Sequence, residues 1–163
     1  MPKISIISDI KGIIKEIAKI GQVPAVAQRA VERYTEEDVL PLFEATVATW
    51  DHAVEFKRST NFTLDIKAIR VYTDDYVWNL VSGGAKAHPI VPNKAKFLAF
   101  QSGFTPKSKV GWAGSQAGGK SGDWVYAQSV SHPGFEARKF EKAIAKEARP
   151  KFKQRFLEEY RRI

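Results

Sequence analysis

At 163 residues, with 44% apolar residues, ten Phe and four Trp, the chain has the size and side-chain area for one domain with one hydrophobic core, which excludes disorder along its whole length. The absence of cysteine excludes a disulfide framework, a thiolate metal site and a thiol nucleophile, and suits assembly in a reducing cytoplasm. The net charge of +8, from 26 Lys and Arg against 18 Asp and Glu, favours an anionic partner over a cationic one.

The first fifty residues read as helical. Ile6, Ile7, Ile10, Ile13, Ile14, Ile17 and Ile20 recur at three- and four-residue spacing, drawing one apolar stripe along a helix. Ser8 or Asp9 stands where its cap belongs and Gly21 where it ends. The stripe reads as core, with docking on a neighbouring subunit as the alternative. Pro24 suits the first turn of a second helix with Val26, Ala27, Ala30, Val31 and Tyr34 on its inner face. A third helix is expected to begin at Thr35 to Asp38, with Asp38 as cap, Pro41 in the first turn and Leu40, Phe43, Val47 and Trp50 as its stripe. No run approaches the ~20 apolar residues of a membrane span. Charges interrupt the segment from Met1 to Asp9 and no small-residue cleavage site follows, so neither a leader nor a membrane partner is expected.

The middle reads as strands. Val54 and Phe56 alternate with charged residues, and Phe62, Leu64, Ile66 and Ala68 keep period two before the phase shifts to Ile69 and Val71. A short helix is expected from Asp75 to Val81, closed by Gly83-Gly84. Strands follow at Lys96–Gln101 and Trp124–Val130. Between them, Gly103–Gly122 holds six Gly with Ser and Lys and reads as an exposed, mobile loop that orders against a partner. The end is helical: Ala137, Phe140, Ile144 and Ala148 share one face. Phe152, Phe156, Tyr160 and Ile163 share another after Pro150, which kinks the helix or starts a new one. Helices, a strand meander and a final helix argue for a single α+β domain over residues 1–163. Its antiparallel sheet would pack against the N-terminal helices (1–50) and the C-terminal helix.

The search for chemistry finds little. His52, His88 and His132 show no metal-ligand spacing, and His88 and His132 each precede Pro, which marks them as turn or boundary residues bonded to backbone. Gly114 to Ser121 satisfies the phosphate-loop expression G-x-x-x-x-G-K-S. Its context does not fit, because a strand pattern from Trp124 follows where a helix should open. Glu36-Glu37 and Asp74-Asp75 sit where helix caps are expected. No G-x-S-x-G stands in the chain. The expectation is therefore a protein without an active site, a metal or a cofactor. Its charge is concentrated: from Tyr76 to Gly122 there is no acid, while Lys86, Lys94, Lys96, Lys107, Lys109 and Lys120 lie there. Glu136–Ile163 carries ten Lys and Arg against five Glu.

Three segments carry a resemblance. They are Asp74-Asp75-Tyr76-Val77-Trp78-Asn79-Leu80-Val81-Ser82-Gly83-Gly84, then His88-Pro89-Ile90-Val91-Pro92 with Phe97-Leu98-Ala99-Phe100, and Val130-Ser131-His132-Pro133-Gly134-Phe135-Glu136-Ala137-Arg138-Lys139-Phe140. In order and spacing they resemble the tail-completion or head–tail joining family of long-tailed bacteriophages, often labelled minor tail component. In that family a short helix ends in a glycine turn, H-x-I-x-P leads into a strand, a variable loop follows, and V-x-H-P-G-x-x-A-R-x-F opens the last helix. The resemblance covers Trp50 to the C-terminus. The doubled Gly83-Gly84 departs from the family's single glycine followed by Thr.

The resemblance implies a virion structural protein, assembled in the host cytoplasm, that joins other neck or tail proteins as a homo-oligomeric ring, a hexamer being the common form. It supplies no catalytic residue. His132, Pro133 and Gly134 are then a fold-defining turn, with Gly134 free to take positive φ. Phe135 and Phe140 pin the last helix to the sheet. Lys107, Lys109 and Lys120 are the candidate contacts to a partner or to DNA in the channel. The rival reading is a basic, sequence-tolerant nucleic-acid-binding module, with Trp112, Trp124 and Tyr126 near the lysines. An enzyme would require His88 and His132 to converge in a concave pocket.

Overall fold

The computed structural model describes residues 23–61 and 68–162. The isoleucine stripe from Ile6 to Ile20 and the alternation at Phe62, Leu64 and Ile66 lie outside the described residues. What is described is α+β with antiparallel strand pairing.

Helix α1 (Val23–Tyr34), a π-helical turn (Thr35–Val39) and α2 (Leu40–Val47) run on without a break. Val26, Ala27, Ala30, Val31 and Tyr34 are all buried, as their spacing predicts. The expected new start at Asp38 is not there. Val39, the residue before α2, has helical dihedrals, φ −94° and ψ −53°, and no side chain caps it. The wide π turn is what accommodates Pro41, which lacks an N–H and crowds the carbonyl four residues back. Asp38 is buried instead and accepts from Arg155 Nε at 2.7 Å. Glu36 and Glu37 also do not cap: they form ion pairs, Glu36 with Arg58 and Glu37 with Arg33 and Arg155.

The strands form three two-stranded ribbons among the described residues. β1 (Lys57–Asn61) pairs with β2 (Ala68–Tyr72). Val54 and Phe56 fall just before β1 and pack half-buried against the core. Helix α3 (Tyr76–Gly83) is capped by Asp75, whose Oδ1 accepts from the Trp78 N–H at 2.7 Å, and closed by Gly84 at φ +78°. β3 (His88–Ile90) pairs with β6 (Val130–His132), and β4 (Leu98–Thr105) with β5 (Gly119–Ala127).

The stretch Gly103–Gly122 is therefore not one loop. Pairing extends into it through Gly103 opposite Ser121, Phe104 opposite Lys120 and Thr105 opposite Gly119, because a ladder is built by backbone and needs no apolar alternation. Gly122, at φ +78°, sits in a bulge where it and Asp123 oppose Ser102 alone. The remaining connection, 106–118, is fastened down rather than free. Ser108 and Ala113 are buried, Gln116 donates from its backbone to the Lys107 carbonyl (2.9 Å), and Thr49 Oγ1 donates to the Gln116 carbonyl (2.9 Å).

Helix α4 (Phe140–Tyr160) passes through Pro150 as one element, with Pro150 on its exposed side. Phe140, Ile144, Ala148, Phe152 and Phe156 recur every fourth residue and are buried. The core is aromatic: Trp78 stacks on Phe43 at 5.8 Å and lies 5.6 Å from Phe140, and Tyr34 meets Phe152 edge-on at 5.0 Å. Charges clasp α1 to α4 at its far end. The buried Glu159 accepts from Arg33 and Arg162, and the hydrogen bond from Arg33 holds its carboxyl below the usual carboxylate range.

Candidate functional site

A cleft of about 750 Å³ opens where the turn after α2, helix α3, the foot of the β4–β5 ribbon and the β6–α4 connection meet. Trp50, Val77, Val81, Phe104 and Phe135 give it apolar walls. Its cations are Lys107, Lys120 and Arg138, with His52 and His132 on the lining and Asp51 as the one carboxylate there among the described residues. That volume lies within the ~300–1,000 Å³ of ligand-sized pockets.

Each polar group is held by a different element. Asp75 serves twice: one oxygen caps α3 and the other lies 3.1 Å from His52 Nε2. Trp78, fixed by the same cap, donates its indole N–H to the buried Thr46 hydroxyl at 2.9 Å, which anchors α3 on α2. Lys107 Nζ meets Asp51 at 2.7 Å and holds that carboxyl below its ordinary range. Arg138 is positioned through its backbone, donating to the Val81 carbonyl (3.2 Å) and accepting from the Gly111 N–H (2.9 Å). Its Nε–H is buried with no acceptor among the described residues.

His132-Pro133-Gly134 forms the expected turn and lines the cleft. Gly134 has φ +80°, and its N–H donates to His132 Nδ1 at 3.0 Å, so neutral His132 carries its proton on Nε2. Across the β3–β6 pair His88 faces His132, the rings stacked at 5.1 Å, and His88 Nδ1 donates to the Lys86 carbonyl at 2.8 Å. The two histidines thus converge, but as a stacked cross-strand pair in which each Nδ1 is bonded to backbone. His132 alone of the two reaches the cleft lining.

No protein-family model, curated protein or solved structure matches the chain.

Five of the six residues singled out in the sequence, Lys107, Lys120, His132, Pro133 and Gly134, meet at this cleft. Lys109 does not; its Nζ stands 5.8 Å over the Trp112 ring. Lys120 and Ser121 lie within β5, so the phosphate-loop letters run into a strand and open no helix. The sequence reading missed Trp50, His52 and Arg138, which reach the cleft only by tertiary packing. The one local signal was Asp75, recognisable as a cap but not as the partner of a histidine 23 residues earlier.

Proposed function

We propose that the chain is a structural subunit of a bacteriophage virion, at the head–tail junction or the head-proximal end of the tail, where it joins or completes the tail as part of a ring. The reading starts from the three motif segments, and the observation that carries it is how those segments engage each other. The Arg138 and Lys139 N–H groups donate to the Val81 and Ser82 carbonyls (3.2 and 3.0 Å), and His88 pairs with His132. Residues that resemble the family are thus spent on one another's backbones, which supports a scaffold role without catalysis. A subunit also needs surface to bury. Trp124 and Tyr126 on one face of the ribbon and Phe104 on the other are 62%, 71% and 71% exposed, and contact with neighbouring subunits would bury them.

The test is to disrupt the gene in the phage or prophage that carries it. Unjoined heads and tails in the lysate, with the chain present in purified wild-type particles, are expected. Complete particles on disruption, or particles lacking the chain, would overturn the reading. The second reading, a sequence-tolerant nucleic-acid binder, is favoured by Lys109 over Trp112 and by exposed Trp124 and Tyr126, which would stack on bases. It predicts salt-sensitive DNA binding by the isolated chain.

A further inference from the structure

We infer that the outer face of α4 is a contact surface for the phosphate backbone of double-stranded DNA, made by Lys142, Lys146, Arg149 and Lys153. Neither reading above uses this element, and the inference names a site and a partner beyond both. The four residues are spaced by four, three and four along the helix. At about 100° per residue, that spacing holds them in one narrow sector. All four are exposed, and Lys139, three residues earlier at the N-cap, is exposed too and extends the row. The acids of α4 lie elsewhere. Glu147 is turned about 100° or more from each of the four. Glu141 accepts from the Ser82 hydroxyl, and Glu158 and Glu159 are engaged by arginines. The helix's other cations Lys151, Arg155 and Arg162 are paired with acids, whereas no member of the row forms an ion pair among the described residues.

This arrangement does not serve the helix itself. Like charges three and four residues apart repel along a helix, and cations at its N-terminus oppose the macrodipole. Lys139 also holds a left-handed conformation, φ 56°, that glycine would adopt without strain. The row therefore weakens the element that carries it, and an anionic partner reverses that sign. From Lys142 to Lys153 it runs about 16 Å at 1.5 Å per residue, the axial length of about five phosphates on one strand of a duplex. A membrane surface fits less well, because a helix at that interface inserts its apolar face and α4 keeps its own in the core. A protein partner also fits less well. Interface centres are apolar and depleted of charge, and Leu157, beyond the end of the row, is the one large apolar residue that α4 exposes. No exposed aromatic ring stands among the four cations to stack on an unpaired base, so the fit is to a duplex.

Two variants of equal charge test this. One combines Lys142→Gln, Lys146→Gln, Arg149→Gln and Lys153→Gln. The other combines Lys86→Gln, Lys94→Gln, Lys96→Gln and Lys120→Gln, at positions equally exposed. Each removes four charges from +8. Binding to fluorescent duplexes of unrelated sequence is read by anisotropy from about 50 to 200 mM salt. Wild type is expected to bind them alike. The α4 variant should lose about tenfold or more in affinity at the lowest salt and about 3–4 in log–log salt slope, four contacts at about 0.9 each, while the other variant stays within about threefold of wild type. The melting midpoint of the α4 variant at low salt should equal or exceed that of wild type, because the repulsion along the helix is gone, so lost binding is not lost folding. Wild type without affinity for duplex DNA, equal losses in the two variants, or an α4 variant that binds as wild type does would each overturn the inference. So would tighter binding to a single strand, or to vesicles containing phosphatidylserine, than to the duplex. None of these results touches the virion reading, which stands or falls on whether particles contain and need the chain.

Discussion

Gly134 holds a backbone conformation, φ +80°, that L side chains rarely adopt, and a Cβ there would overlap the Ala85 carbonyl. The left-handed strain alone is worth about 1–2 kcal/mol, and the overlap adds to it by prising apart the Ala85–Phe135 bridge. Gly134→Ala is therefore expected to lower the unfolding free energy by about 2 kcal/mol or more, read by denaturant titration. An unchanged midpoint would mean the turn is not what fastens α4 to α3. This turn was legible from His132-Pro133-Gly134 because proline and glycine fix backbone angles locally. The role of His132 Nδ1 as acceptor was not, since either ring nitrogen can serve. Tyr34 makes the opposite case. Its ring is wholly buried, its hydroxyl has no partner among the described residues, and burial, with Asp38 nearby, pushes the phenol up to about 12. Tyr34→Phe keeps the edge-on packing with Phe152 and removes an unpaired polar atom, so stability should rise by about 1 kcal/mol. A fall instead would show that the hydroxyl has a partner in solution.

At the scale of elements, α1 and α4 are joined by apolar packing of Ala27, Ala30 and Phe156 and by charges around Asp38 and Glu159. The Glu159 carboxyl is held low, chiefly by the Arg33 hydrogen bond. Its sign follows: the unfolded chain binds this proton more readily than the folded one. The stabilisation is then complete above the unfolded carboxyl range and fades as pH falls through the lower folded value. Denaturant midpoints should therefore drop in acid, below about pH 4.5, and Glu159→Gln should lower stability at neutral pH while flattening that acid dependence. A variant with an unaltered pH profile would assign the acid sensitivity to other carboxylates. The packing half of this joint was legible in α1, whose spacing announces its inner face; in α4 the sequence suggested a second face beyond a kink or new start at Pro150, whereas Phe152 and Phe156 continue the Phe140, Ile144 and Ala148 stripe and Pro150 falls outside it. The charged half was not. Asp38 before a proline looks like a cap, and its partner Arg155 is 117 residues away. The ribbon was half legible for a related reason. Its Gly, Ser and Lys residues carry no strand periodicity, and cross-strand pairing sets their conformation. The cleft needs several such elements in place at once, so its residues were visible singly and its existence was not.

For the molecule as a whole, the question is what an acid-free stretch of lysines does on a chain of +8. Lys107 is paired with Asp51, Lys109 sits over Trp112, and Lys120 is exposed at the cleft. Surface interactions of these kinds contribute about 1 kcal/mol or less each, so replacing all three with Gln should leave the fold and its melting behaviour near wild type. The consequences for association are larger, because one-signed fields act on every anionic partner at once. If the chain is the proposed virion subunit, in a ring around packaged DNA, removing three positive charges per copy should reduce the yield of joined particles or let DNA escape from them. Infectivity and DNA content per particle, measured on phage carrying the triple variant, check this. Normal titre with normal DNA content would mean that these lysines touch neither partner nor DNA. If instead the chain is a free nucleic-acid binder, the same variant should weaken DNA binding by the isolated protein. Its salt dependence should then fall by about 0.7–0.9 in log–log slope for each phosphate no longer neutralised. The two outcomes separate cleanly. A subunit whose lysines face a neighbour forms fewer particles at unchanged DNA affinity, whereas a nucleic-acid binder weakens on DNA whether or not a particle is present.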